Sequence, residues 1–313
     1  MRGHEQAKRA LEISAAGGHH LLLTGPPGCG KSMLSDAFHT ILPDLVHDEI
    51  IELYSIYHLA QENRGMSVRP PYRHPHHSAS SISLIGGGTF PRPGEISLAH
   101  RGVLFLDELG EFSKKTLDML RQPMETGQVT INRVKQSVTY PSNFILIAAT
   151  NPCPCGYAGS NERYCTCSPK QIMNYQLKAS GPLLDRLDFV LSLQSVGLQA
   201  TGKAETSSSI RKRTTEARRL QRARYGNEWL NGFVPFQLFD ETCGLTTDQK
   251  QMIQHICFEQ KWSNRTQMKL LRIARTIADL AGIEHISDEA LQEAIQWKTV
   301  AANLHTSIRM EGR

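Results

Sequence analysis

The sequence predicts an α/β domain, a five-stranded parallel sheet flanked by helices, followed by a smaller helical domain. Five short apolar runs have strand character: Leu21–Thr24, Ile50–Leu53, Val103–Leu106, Phe144–Ala149 and Phe189–Leu193. Helical patterns separate them, an alternation that builds parallel sheets covered on both faces. The first run opens directly into Gly25-Pro26-Pro27-Gly28-Cys29-Gly30-Lys31-Ser32, and a helical pattern follows from Met33 to Phe38. Beyond Leu193 the composition turns small and polar, and every later periodic segment is helical. The expected boundaries are residues 1–196 for the α/β domain, 197–209 for a linker and 210–313 for the helical domain.

Taken in order, a helical pattern over Glu5–Ala16 leads into the first strand and its glycine-rich loop. Glycines between a buried strand and a helix let backbone N–H groups turn inward around phosphates, and the helix N-terminus adds its positive end. Gly25 to Met33 are expected to cradle ATP, with Lys31 on the β- and γ-phosphates and Ser32 on Mg²⁺. The segment Ser55 to His100 is too long for a simple connection and is expected to carry inserted structure. Its His74, His76 and His77 flank Pro75, which breaks regular geometry, so they read as surface or packing residues.

The run Val103–Leu106 ends in Asp107 and Glu108, a Mg²⁺ partner and a carboxylate placed to polarise the attacking water. Phe144–Ala149 ends in Thr150-Asn151, whose amide can orient water against the γ-phosphate. Arg186 lies between Asp185 and Asp188 ahead of the fifth run. Alone, such an arginine is a solvated ion pair; after the preceding motifs it reads as a finger inserted against a neighbouring subunit's γ-phosphate. The later helical segments are Ile210–Tyr225, Thr247–Gln260, Thr266–Ala281 and Asp288–Leu304, with Ser287 as an N-cap and Gly282 as a terminator. The basic stretch Arg211 to Arg224 spreads over several faces and reads as a solvated helix.

The chain has 313 residues, a formal charge of +5, 40% hydrophobic and 21% charged residues, values ordinary for a globular protein. No apolar run has membrane-span length and no signal-peptide pattern opens the chain, so a cytoplasmic location is expected. Of seven cysteines, Cys153, Cys155, Cys165 and Cys167 form two C-x-C pairs across a nine-residue loop. They offer a structural zinc site, with free thiols or a redox pair as the alternatives. A catalytic zinc does not fit, because four thiolates leave no open position.

This series of motifs resembles the AAA+ ATPases, and within them the magnesium-chelatase-like branch represented by the ComM/YifB proteins. The specific likeness lies in Gly3 to Leu11, Arg69 to His77, Leu84 to Gly88, Pro91 to His100, Asn151 to Gly156 and Arg272 to Ala281. It implies an α/β core with a helical lid, ATP and Mg²⁺ as cofactors, a homo-hexameric ring, and Arg265 as a second sensor touching nucleotide phosphates. It further implies a helicase or branch-migration translocase acting on single-stranded or branched DNA in natural transformation, alongside recombination proteins. Gly86–Pro93 and Val129–Tyr140 correspond to the helix-2 insert and the hairpin before the first sensor, elements that face the channel. Phe90, Arg92, Arg133 and Lys135 are then DNA contacts, the plain alternative being surface hairpins with solvated charges. A second reading is a motor that remodels a partner protein, as the magnesium chelatase I subunit does; a third is a nucleotide-gated assembly module. Two departures stand out. The family carries a Lon-protease-like domain ahead of this module, which implies an excised motor or a shortened relative. Gly110 stands where the family has proline, which is expected to loosen that turn.

Overall fold

The computed structural model describes residues 3–88, 91–133, 137–160, 163–178, 181–195 and 205–310. Five strands form the parallel sheet: β1 (Leu21–Thr24), β2 (Tyr72–Arg73), β3 (Val103–Leu106), β4 (Ile145–Thr150) and β5 (Phe189–Ser192). Their order across the sheet is β2-β3-β4-β1-β5. Successive residues of each strand face opposite ways. Leu21, Leu23, Phe105, Ile147 and Leu191 belong to one buried cluster; Leu22, Leu104, Leu106, Leu146 and Val190 belong to the other. Burial on both faces is why the strands read as continuous apolar runs rather than alternating ones.

One expected strand is corrected. Ile50–Leu53 lies inside the helix His47–Ala60, and the fifth strand is Tyr72–Arg73 at the sheet edge. Leu53, Ile56 and Tyr57 are buried at helical spacing, and the Glu49 carboxylate accepts from the Val46 N–H at 2.9 Å to cap the first turn. The insertion does contain structure: the helix Ser81–Ile85, the short hairpin Gly86–Gly87 with Arg92–Pro93, and the helix Glu95–Leu98. A longer hairpin, Gln128–Asn132 with Ser137–Pro141, precedes β4.

The helical region is joined directly to the α/β core. Helices Ser207–Tyr225, Asn264–Leu280 and Asp288–Met310 share one apolar cluster with the first helix, Glu5–Gly17, and with β1 and β5. Trp297 packs edge-on against Phe189, with centroids 5.4 Å apart. Ser207 to Ser209, assigned to the linker by sequence, are helical, with Thr206 as N-cap; residues 197–204 lie outside the described set. Ser287 caps the last helix through the Ala290 N–H, and Gly282 ends the one before it with a φ of 70°.

The basic helix Ser207–Tyr225 is not a solvated one. Arg211 pairs with Asp44, Arg213 with Glu12 and Glu205, Arg222 with Glu49 and Arg224 with Asp279. Arg218 is buried and donates to the Ala15 carbonyl at 3.0 Å. Arginines spread over several faces because several core elements surround the helix.

Asp279 is the hub of this network. Its side chain has no exposure and takes Arg224 at 2.6 Å, Arg275 at 2.9 Å and the Asn231 amide at 2.8 Å. Asp279→Ala leaves two guanidinium groups without their carboxylate, one of them, on Arg275, deeply buried. It is expected to cost about 3–5 kcal/mol of stability, read as a lowered urea midpoint.

Candidate active site

The loop after β1 is held in place by its neighbours. Thr24 sits beside Thr150 in the parallel register, and the Gly25 N–H donates to the Thr150 carbonyl at 3.3 Å. Gly28 and Gly30 have φ values of 80° and 93°, a left-handed backbone that glycine adopts without strain. The helix Lys31–Ile41 starts at the loop's end, so its free N–H groups point at the same space. Cys29 is buried beneath the loop, and Met33 is exposed on the first helical turn.

Five further side chains gather there. Lys31 Nζ donates to the carbonyls of Gly25 at 2.7 Å and Pro26 at 2.9 Å, and to Asn151 Oδ1 at 3.1 Å. Burial lowers the Lys31 pKa, opposed by Cys29 and Asp107. Ser32 Oγ donates to Asp107 Oδ2 at 3.0 Å. Two cis ligands of an octahedral Mg²⁺ at about 2.1 Å stand about 3.0 Å apart, so this hydroxyl and carboxylate are spaced to share that ion. Glu108 follows with φ 50° and ψ 47°, a left-handed conformation rare for a residue with a side chain and typical of strained functional positions. Its carboxylate is half-exposed.

Sequence reasoning missed two residues at this site. His77, read as a surface or packing residue, lies with Nδ1 3.2 Å from Glu108 Oε2, and its ring packs on His76 at 4.0 Å. His4 lies beside the Cys29 backbone, and burial lowers its pKa. Both reach the loop from distant chain positions, and neither carries a local signal beyond the likeness of its segment to the family.

Gly110 sits in a confined place in the turn after Glu108. It is buried in the short 3-10 helix Leu109–Glu111, and a Cβ there would lie 2.4 Å from Tyr175 Cζ. The tyrosine ring occupies the space a larger residue would take. Burial raises the Tyr175 pKa, against the opposing effect of the neighbouring Thr150, so one ring lies between the Glu108 turn and the end of β4.

The four clustered cysteines are together. Their Sγ atoms lie within 4.8 Å of one another, with Cys153–Cys155 at 3.4 Å, Cys155–Cys165 at 3.5 Å and Cys153–Cys165 at 3.7 Å. A tetrathiolate zinc with bonds of about 2.3 Å spaces its sulfurs about 3.8 Å apart. All four thiols are free. The N–H groups of Cys155 and Ala158 donate to the sulfurs of Cys167 and Cys153, the outer-shell bonds that thiolate sites use. The donor set fits zinc. Gly156 of the same loop packs so closely on the Pro27 ring that a Cβ would come within 2.6 Å of it.

Arg186 and Arg265 are placed apart from this cluster. Arg186 donates to the carbonyls of Arg121 and Pro182 and to Glu125 Oε2 at 2.6 Å; Arg265 pairs with Glu125 Oε1. Of the expected DNA contacts, Arg92 is exposed in the short hairpin, and Arg133 Nε donates to the Gly88 carbonyl at 3.4 Å. Tyr140 donates to the Pro91 carbonyl at 2.7 Å, so the two hairpins are packed together. Phe90 and Lys135 lie outside the described residues.

A β2-β3-β4-β1-β5 sheet with a phosphate loop after β1, an acidic pair after β3, a polar amide after β4 and an attached helical region defines an AAA+ ATPase. Residues 1–201 match the family model described as magnesium chelatase, subunit ChlI, and residues 204–298 match that of the ChlI C-terminal region. The chain belongs to this magnesium-chelatase-like AAA+ family. It is 42% identical over 304 residues to the uncharacterised protein YifB of Salmonella typhimurium, and 41% identical over 305 residues to the competence protein ComM of Haemophilus influenzae. Each alignment covers 95% of this chain and 59% of the relative, so the chain spans about three-fifths of those proteins. Magnesium-chelatase subunit ChlI of Guillardia theta is 25% identical over 182 residues, covering 48% of this chain and 50% of that protein. Membership implies ATP hydrolysis with Mg²⁺. Among the described residues, no helix is long and apolar enough to cross a membrane.

The Gly110–Tyr175 contact is testable. Gly110→Ala is expected to cost about 1–3 kcal/mol through overpacking. In a Tyr175→Ala background the same change should cost at least about 1 kcal/mol less, by a denaturant-melt cycle.

Proposed function

We propose that this chain is the motor of a hexameric, ATP-driven DNA translocase that promotes branch migration in natural transformation. The observation that carries the ATPase half is the convergence of Lys31, Ser32, Asp107, Glu108 and Asn151 at the ends of three neighbouring strands. Lys31 leaves the loop carbonyls for the β- and γ-phosphates, and Ser32 and Asp107 hold the Mg²⁺, which neutralises charge on the phosphate oxygens when bound. Gly25 to Gly30 supply N–H donors, with Cys29 packed beneath and Met33 at the rim. Glu108 accepts the proton of the attacking water, and Asn151 orients that water. Arg186 serves the neighbouring subunit's γ-phosphate, and Arg265, which shares its carboxylate, serves the same side. The ring works in the cytoplasm, with recombination proteins as partners.

The DNA half is supported by the paired hairpins and by the likeness to ComM. Arg92, Arg133 and Lys135 are proposed to hold phosphates, and Phe90 to stack on bases. DNA should raise ATP turnover, and binding of Glu108→Gln protein, which holds ATP without hydrolysing it, should weaken steeply as salt rises. Arg133→Ala should reduce both the affinity and the stimulation. Turnover unaffected by single-stranded or forked DNA at low salt would overturn the DNA reading and leave the ATPase reading standing. The ChlI family match favours one alternative, remodelling of a partner protein, which predicts stimulation by that partner instead.

The thiol cluster is proposed to hold one structural zinc that braces Pro27 and Asn151. Metal analysis of protein purified without chelator should find about one zinc per chain, and Cys155→Ser should lower both zinc content and melting temperature. Freely titrating thiols and no zinc would remove it.

A further inference from the structure

Two arginines assigned to the hydrolysis of ATP end on one carboxylate. Arg186 follows the helix Gly181–Leu184, and its side chain is only 10% exposed. Its three bonds fix it: Nε to the Arg121 carbonyl at 3.0 Å, Nη1 to the Pro182 carbonyl at 2.6 Å and Nη2 to Glu125 Oε2 at 2.6 Å. Arg265, in the first turn of the helix Asn264–Leu280, pairs with the other carboxylate oxygen, Oε1. Arg121 and Glu125 lie one turn apart on the helix Arg121–Thr126, so that helix holds Arg186 by both a backbone carbonyl and a side chain.

A second tie lies deeper. Lys269, one turn beyond Arg265, donates to the Leu187 carbonyl at 2.6 Å and stands 3.9 Å from Asp188 Oδ1. The segment carrying Arg186 and the helix carrying Arg265 are therefore fastened below by Lys269 and above by Glu125. Two guanidinium groups this close repel each other unless an anion sits between them. Arg186 holds the Glu125 carboxyl below its ordinary pKa, against a smaller opposing effect of burial, so the anion is present at neutral pH. No hydrogen bond described for either arginine reaches Lys31, Ser32, Asp107, Glu108 or Asn151.

We propose that Glu125 is the positioning residue that gathers Arg186 and Arg265 into a two-arginine clamp presented to the nucleotide of the neighbouring subunit. This rests on the reading that Arg186 acts in trans. In this role Glu125 acts only through the two arginines. It sets the spacing and direction of two cations before the γ-phosphate arrives, so that less reorganisation is left for the transition state. Half of its side chain is exposed.

The test uses assembled rings of the full chain. Glu125→Gln keeps size and hydrogen-bonding capacity but removes the charge. It is expected to lower kcat at least about tenfold while changing the KM for ATP less than about twofold. Glu125→Asp, with a shorter reach, should fall between the two. The decisive arm mixes Glu125→Gln with Lys31→Ala, which cannot hydrolyse ATP but presents an intact clamp. In a one-to-one mixture, about a quarter of the wild-type rate per chain should return, the statistical share of competent sites with an intact neighbour. Arg186→Ala mixed with Lys31→Ala should recover in the same way. Recovery with Arg186→Ala but none with Glu125→Gln would overturn the proposal, as would wild-type kcat in Glu125→Gln alone. Recovery with neither, in rings shown to be mixed, would instead overturn action in trans, and the clamp with it.

Discussion

The pairing of β1 with β4 on one side and β5 on the other is the constraint on which the site depends. It puts Thr24 level with Thr150 and lets the Gly25 N–H reach across to the Thr150 carbonyl. Parallel strands all end on the same side, and the sheet order reverses direction beside β1, which opens a crevice at those ends. The phosphate loop, the acidic pair and Asn151 each begin within a residue or two of a strand end. Their convergence follows from strand order rather than from any attraction among them. What the sheet leaves undone, short-range packing completes: Tyr175 spans from the Glu108 turn to β4, and Gly156 leans on Pro27.

Much of this was legible because it is local. An apolar run followed at once by a chemically loaded loop reads directly, and β1, β3, β4 and β5 fall within a residue of their expected positions. The edge strand Tyr72–Arg73 is two residues long and polar, held by only a short stretch of pairing with β3, so no pattern announces it. Ile50–Leu53 misled for the opposite reason. Its apolar run resembles a strand until the window is widened to the buried Ile56 and Tyr57, where helical spacing appears. The candidate site divides the same way. Lys31, Ser32, Asp107 and Asn151 come together as motif order suggests, whereas His77 and His4 meet the site through tertiary folding alone.

Charge was the least legible property. An arginine in sequence looks the same whether it faces water or a buried carboxylate. Arg218, Arg222 and Arg224 find partners far away along the chain, and Arg186 and Arg265 share a glutamate that no motif singles out. The gathering of carboxylates around a basic helix is a tertiary fact.

The fastening of the helical region to the first helix has a mechanical consequence. Arg9 reaches Glu293, Arg213 reaches Glu12, Gln221 donates to the Ala16 carbonyl, and His19 bonds Thr276. Glu5–Gly17 is thus a beam built into the helical region, and β1, with the phosphate loop at its tip, is the short lever that projects from it. A rotation of the helical region would carry that lever along, while β2 and β3 stand at the far side of the sheet. The tip of that lever therefore has a covalent and ionic path straight into the helices.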